Sequence, residues 1–172
     1  MMNVLMIIAQ DNFRDEEYDI PRRELESSGI GVSVASPSGG LCRGMLGMTV
    51  ESDMSLGEAH ASGYDAVIVV GGSGSPKWLW GDGRLHKILS DAVGKSSVVA
   101  AICLSTGALA KAGILAGVKA TVFPSPDAIR ALKEGNAVYV QGPVVSDGRI
   151  VTARGPESAR EFACEIIRLL KQ

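Results

Sequence analysis

The stretch Ser96–Gly117, SSVVAAICLSTGALAKAGILAG, decides the fold. It opens as an apolar run and turns into a small-residue segment of helical character, with Cys103 at the changeover. A run of this kind suits a strand buried on both faces of a parallel sheet. Three other segments read the same way: Asn3 to Ala9, Gly31 to Ser36 and Asp65 to Val70. With Ser97 to Ile102 they give four buried strands. Helical patterns separate several of them. DEEYDIPRRELESSG carries apolar residues near helical spacing and ends at Gly29; Pro21 inside it predicts a kink or a late helix start. GRLHKILSDAVGK, LSTGALAKAGILAG, SPDAIRALKEG and ESAREFACEIIRLLKQ supply four more helices. Strand–helix alternation predicts an α/β fold with a doubly wound, mostly parallel sheet. RGMLGMTVES and VVSDGRIVTA read as small β excursions, and SDG in the latter marks a hairpin.

The chain has 172 residues, 46% of them apolar and 21% charged, with a net charge of −2. That length suits a single domain, residues 1–172, with a full core. The charge balance gives no reason to expect nucleic acid or an anionic membrane as a partner. No apolar run approaches the ~20 residues of a membrane span. MMNVLMIIAQDN lacks a basic n-region and a cleavage site, so it reads as a first strand and not a signal peptide. Three widely spaced cysteines form neither a disulfide framework nor a metal site. The cytoplasm is the expected compartment.

In open α/β sheets, ligands bind beyond the carboxyl ends of the strands. Three features fall at that edge: Cys103, the turn GGSGSP from Gly71 to Pro76, and the acidic cluster Asp15, Glu16 and Glu17. At a strand–helix junction, free N–H groups and the helix dipole favour a thiolate, which predicts a Cys103 pKa below the free value of about 8.5. The geometry implied is that of a nucleophile elbow. Beside it, the glycine turn is a candidate half of an oxyanion hole. It lacks the Gly-Lys-Ser/Thr ending of a P-loop. His60 and His86 follow no core strand and read as non-catalytic. Cys164 reads as packed on the closing helix, and Cys42 as exposed in a glycine-rich loop.

These segments resemble the ThiJ/PfpI superfamily along nearly the whole chain. AAICLSTGALAKAGIL resembles its Ala-Ile-Cys elbow and VIVVGGSG its strand ending in Gly-Gly. DEEYDIPRRELESSGIGVSVAS is similar to its first helix, where a Glu stands four residues before a Pro, here Glu17 before Pro21. SDGRIVTARGPESAREFA resembles its closing Asp-Gly, Thr and Arg-Gly-Pro segment. The resemblance implies a flavodoxin-like fold and a homodimer or larger oligomer. It implies Cys103 as the reactive thiol and a protonated Glu17 as its partner. The N–H groups of Gly72 and Leu104 map onto the oxyanion-binding pair, with Gly71 and Phe123 beside the substrate. Two positions depart from the pattern. Leu104 stands where peptidase members have His, and Phe123 stands before Pro124 where deglycase and glyoxalase members often have His. The expected function is cysteine-dependent chemistry, without metal or organic cofactor, on small reactive carbonyls or on glycated protein. The alternatives are a redox-responsive stress or chaperone-like protein and an intracellular cysteine peptidase.

Overall fold

The four apolar runs stand side by side in one sheet, as their lack of a polar face requires. The computed structural model describes residues 1–172. In chain order the elements are β1 (Asn3–Ile7), β2 (Asp11–Phe13), α1 (Asp15–Ser27), β3 (Gly31–Ser36), β4 (Gly40–Gly44), β5 (Thr49–Ser52), β6 (Met54–Ser55), β7 (Ala66–Val69), α2 (Ser75–Trp78), α3 (Gly83–Gly94), β8 (Val98–Ile102), α4 (Thr106–Lys111), β9 (Lys119–Ala120), α5 (Pro126–Glu134), β10 (Val138–Tyr139), β11 (Val144–Asp147), β12 (Ile150–Ala153) and α6 (Ala159–Leu170). The main sheet runs β11-β12-β8-β7-β1-β3-β6. Every pairing in it is parallel except β11 with β12. Its five central strands, taken in chain order, lie in the flavodoxin arrangement 2-1-3-4-5. The fold class is therefore the one the sequence implied.

Val4–Ile7, Ala66–Val69 and Val98–Ile102 are all fully buried. Helices cover both faces: α1 packs with α6, and α3 with α4. Apolar side chains such as Ile7 and Ile68, sealed this way, each contribute roughly 1.5–3 kcal/mol of hydrophobic free energy. The hairpin signal is realised: β11 and β12 pair Asp147 with Ile150 across the loop Gly148–Arg149. The other β excursion forms a small separate sheet, β2-β4-β5.

Two expectations need correction. Helix α1 starts at Asp15, well before Pro21, so there is no late start. Pro21 is buried inside it and leaves the Glu17 carbonyl without its helical donor. The segment after Cys103 is not one long helix. A 3-10 turn, Cys103–Ser105, leads into the short α4, which ends just before Gly113 at φ +79°. A left-handed glycine stops a helix in this way.

Candidate active site

The turn after β8 places Cys103 in the left-handed region, φ +60°. For a residue with a Cβ this conformation costs about 1–2 kcal/mol. Four hydrogen bonds hold it. The Ser105 hydroxyl donates to the Val70 carbonyl at 2.6 Å and lies 2.7 Å from the Ser75 hydroxyl. The Trp80 indole donates to the Leu104 carbonyl at 2.8 Å. The Phe123 N–H donates to the Cys103 carbonyl at 3.2 Å. The elbow is thereby tied to the end of β7, to α2 and to the chain beyond α4.

The turn after β7 meets the elbow at Gly71. A Cβ there would stand 2.5 Å from Glu17 Oε1, 2.5 Å from the Ile102 carbonyl and 2.7 Å from Cys103 Cβ. The missing side chain is the space in which carboxyl and thiol approach each other. Gly71 is a spacer, and its carbonyl accepts from the Arg14 N–H at 2.9 Å, which locks the start of α1. Gly72 has φ +115°, and a Cβ on it would press into the backbone of Asn12 and Arg14 at 2.4 Å. Its N–H and that of Leu104 lie near the Cys103 sulfur and favour its charged form.

The three acidic residues at the start of α1 separate cleanly. Asp15 accepts from the N–H groups of Leu46 and Met48 at 3.1 and 2.9 Å, fastening the loop between β4 and β5. Glu16 pairs with Arg14 at 3.1 Å. Glu17 alone turns inward, fully buried, and is electrostatically coupled to Cys103.

Burial pushes the Glu17 carboxyl from 4.5 up to about 8. Its two oxygens meet no N–H or O–H donor, so an ionised carboxylate there lacks solvation. The sequence-based expectation of a depressed thiol pKa is corrected. Burial, then the Glu17 charge, push Cys103 up to about 12, and the N–H groups of Leu104 and Gly72 offset only part of this. These groups form one unit holding a single charge until high pH. Because the two backbone donors face sulfur and none faces the carboxyl, the sulfur is the better seat for that charge. With both protons in place, a protonated Glu17 lies beside a thiol. About 8 is the ceiling for the first ionisation of this pair, since a second tautomer only makes proton loss easier.

Cys103 is 8% exposed and opens onto a cavity of about 300 Å³. Leu104 and Phe123 form part of its wall, as the sequence suggested; Arg14, Met45, Pro156 and Glu157 complete it and were not foreseen. Their side chains come from three distant segments; Met45, Pro156 and Glu157 belong to segments with a β or helical pattern, and nothing in that pattern marks them as cavity residues. Neither histidine lines this cavity. His86 is 2.7 Å from the Trp80 carbonyl, and His60 borders a separate depression near Arg84 and Lys87. The other two cysteines reverse their expected places: Cys42 is fully buried and Cys164 is exposed.

The DJ-1/PfpI family model matches residues 2–169. The chain belongs to the DJ-1/PfpI family. An uncharacterized protein of Methanocaldococcus jannaschii is 42% identical over 169 residues, 98% of this chain and 82% of that one. The protein/nucleic acid deglycase 2 of Escherichia coli is 31% identical over 99% of both chains. Among solved structures, a ThiJ/PfpI domain protein from Brachyspira murdochii superposes with a TM-score of 0.93 at 32% identity, covering 98% of this chain and 96% of that one. The DJ-1/PfpI fold therefore extends over nearly the whole chain. No helix is long and apolar enough to cross a membrane.

Proposed function

We propose that this protein is a cysteine-dependent enzyme of deglycase or glyoxalase type, acting on small reactive carbonyls or their adducts. One observation carries the reading: a buried, proton-bearing Glu17 stands against Cys103 at a strained elbow, with two backbone N–H groups aimed at the sulfur. The likeness to a named deglycase along the full chain supports it. In the proposed step, Cys103 Sγ attacks the carbonyl carbon and a C–S bond forms. The C=O π pair moves to oxygen, which takes the Glu17 proton, while Glu17 takes the proton the thiol gives up. The product is a thiohemiacetal with no net change in protons. The oxygen on the sulfur-bound carbon comes within reach of the Gly72 and Leu104 donors, which stabilise developing charge. All the groups used belong to the chain itself.

Peptide cleavage fits less well. Expelling an amine is most often assisted by a His general acid, and no His lines the cavity. A second reading, redox sensing, draws on the same N–H pair, which can bond sulfinate oxygens on Cys103 as well as a thiolate. The deciding experiment measures methylglyoxal consumption by wild type and Cys103→Ala, with mass spectrometry of each after mild peroxide. Cys103-dependent turnover is expected. Equal turnover by Cys103→Ala refutes the enzyme reading. Absent turnover with clean conversion of Cys103 to sulfinate selects the sensor.

A further inference from the structure

Two charged side chains line the Cys103 cavity, Arg14 and Glu157, and they are not equally free. Arg14 is committed: its Nε and Nη2 both donate to the Glu16 carboxylate. Glu157 forms none of the ion pairs of the protein and no side-chain hydrogen bond, although two arginines are close in sequence. Of these, Arg160 reaches toward Glu24 at 3.5 Å and Arg154 pairs with no carboxylate. The carboxylate of Glu157 is exposed on the 3-10 turn Pro156–Ser158, and its field reaches Glu17 after the larger and opposed effects of Arg14 and Glu16. The remaining wall is largely apolar, with Met45, Leu104 and Phe123. A neutralised Arg14–Glu16 pair and an unpaired Glu157 leave a cavity with one uncompensated negative charge at its mouth. A volume of about 300 Å³ suits one side chain or a comparably small molecule.

We infer that Glu157 selects substrate by charge, so that the Cys103 cavity favours carbonyl compounds or adducts bearing a cationic nitrogen, guanidinium or ammonium, over anionic ones such as 2-oxo acids. This rests on the reading of Cys103 as the reacting group. A cation held roughly 6 Å from a carboxylate in water-like surroundings is favoured about threefold, and an anion is disfavoured by the same factor, so the ratio between them is about tenfold.

The test uses reagents whose reaction requires no turnover. Three methanethiosulfonates, one neutral (methyl), one cationic (trimethylammonium-ethyl) and one anionic (sulfonatoethyl), each form a disulfide with the thiolate and release methanesulfinate. Modification rates of Cys103 are measured in a Cys164→Ser background, since Cys164 is exposed and Cys42 fully buried. The cationic-to-anionic rate ratio cancels any change in ionisation of the thiol itself. It is expected to fall about tenfold in Glu157→Gln and to fall further in Glu157→Lys. A ratio unmoved by both substitutions overturns the inference. Wild-type failure to consume methylglyoxal refutes the enzyme reading alone and leaves this ratio unaltered, so the two failures are distinguishable.

Discussion

Replacing Glu17 by Gln tests the buried proton directly. The amide matches the protonated carboxyl in shape and does not titrate. Burial moves the carboxyl from 4.5 to about 8, which corresponds to about 5 kcal/mol of free energy. The sign follows from proton binding. A folded-state pKa above the unfolded value means the folded chain holds the proton more tightly. This contribution to stability is fully present below pH 4.5 and is lost as pH rises through about 8. Across that window the wild type weakens by about 1.4 kcal/mol per pH unit relative to Glu17→Gln. Urea unfolding from pH 4.5 to 8.5 reads this difference. It is best measured in a Cys103→Ser background, where no thiolate competes for the charge and the slope belongs to Glu17. A flat difference there refutes the argument that burial keeps Glu17 protonated. The same experiment with Cys103 present reads where the first charge settles: a shallower slope reports early ionisation of sulfur.

Other substitutions have equally definite outcomes. Gly71→Ala forces a methyl against Glu17, Ile102 and Cys103, so urea unfolding is expected to show a loss of about 1–3 kcal/mol, with slower Cys103 modification. Cys103→Gly is expected to be more stable than Cys103→Ala by about 1 kcal/mol in the same assay, because only glycine is free of strain at φ +60°. Asp15→Ala leaves the N–H groups of Leu46 and Met48 without their acceptor; about 1–3 kcal/mol of stability is expected to go, and hydrogen exchange at those two amides is expected to accelerate.

The fold was legible because strands buried on both faces leave a continuous apolar run, and four such runs in alternation with helices admit few arrangements. The parts of the site placed at strand ends were legible for a related reason. Cys103, Gly71 and Gly72 each follow a buried strand, so topology alone brings them to one edge. Glu17 was legible only through the resemblance, which puts a Glu four residues before a Pro; composition and periodicity left Asp15, Glu16 and Glu17 alike. The exposure of Cys164 follows from its angle on the helix. Phe162, Ala163, Ile166 and Leu170 face inward on α6. Cys164 lies two residues from both Phe162 and Ile166, about 200° around the helix axis from each, on the solvent side. Cys42 follows the other period: on β4 its neighbours Leu41 and Arg43 point out, so Cys42 points in. The rise in thiol pKa was hidden because helix-terminus reasoning counts local donors, whereas burial depends on the distant segments that close over the sulfur.

That closure also explains how a strained cysteine persists at the centre of the molecule. The left-handed backbone at Cys103 costs about 1–2 kcal/mol. Hydrogen bonds from Ser105, Trp80 and Phe123 each contribute about 0.5–1.5 kcal/mol net, so together they match or exceed the strain. They also fix direction. Each runs from the elbow to a different element, and no single backbone rotation preserves all three. The thiol therefore cannot relax away from Glu17 without unmaking several buried hydrogen bonds at once. Gly71 makes the complementary provision, because the approach of carboxyl to sulfur requires an unfilled position between them. Strain at one residue and vacancy at another thus serve one geometry: a proton donor and a nucleophile held in contact, sheltered from water, with a small opening through which a carbonyl carbon can reach sulfur.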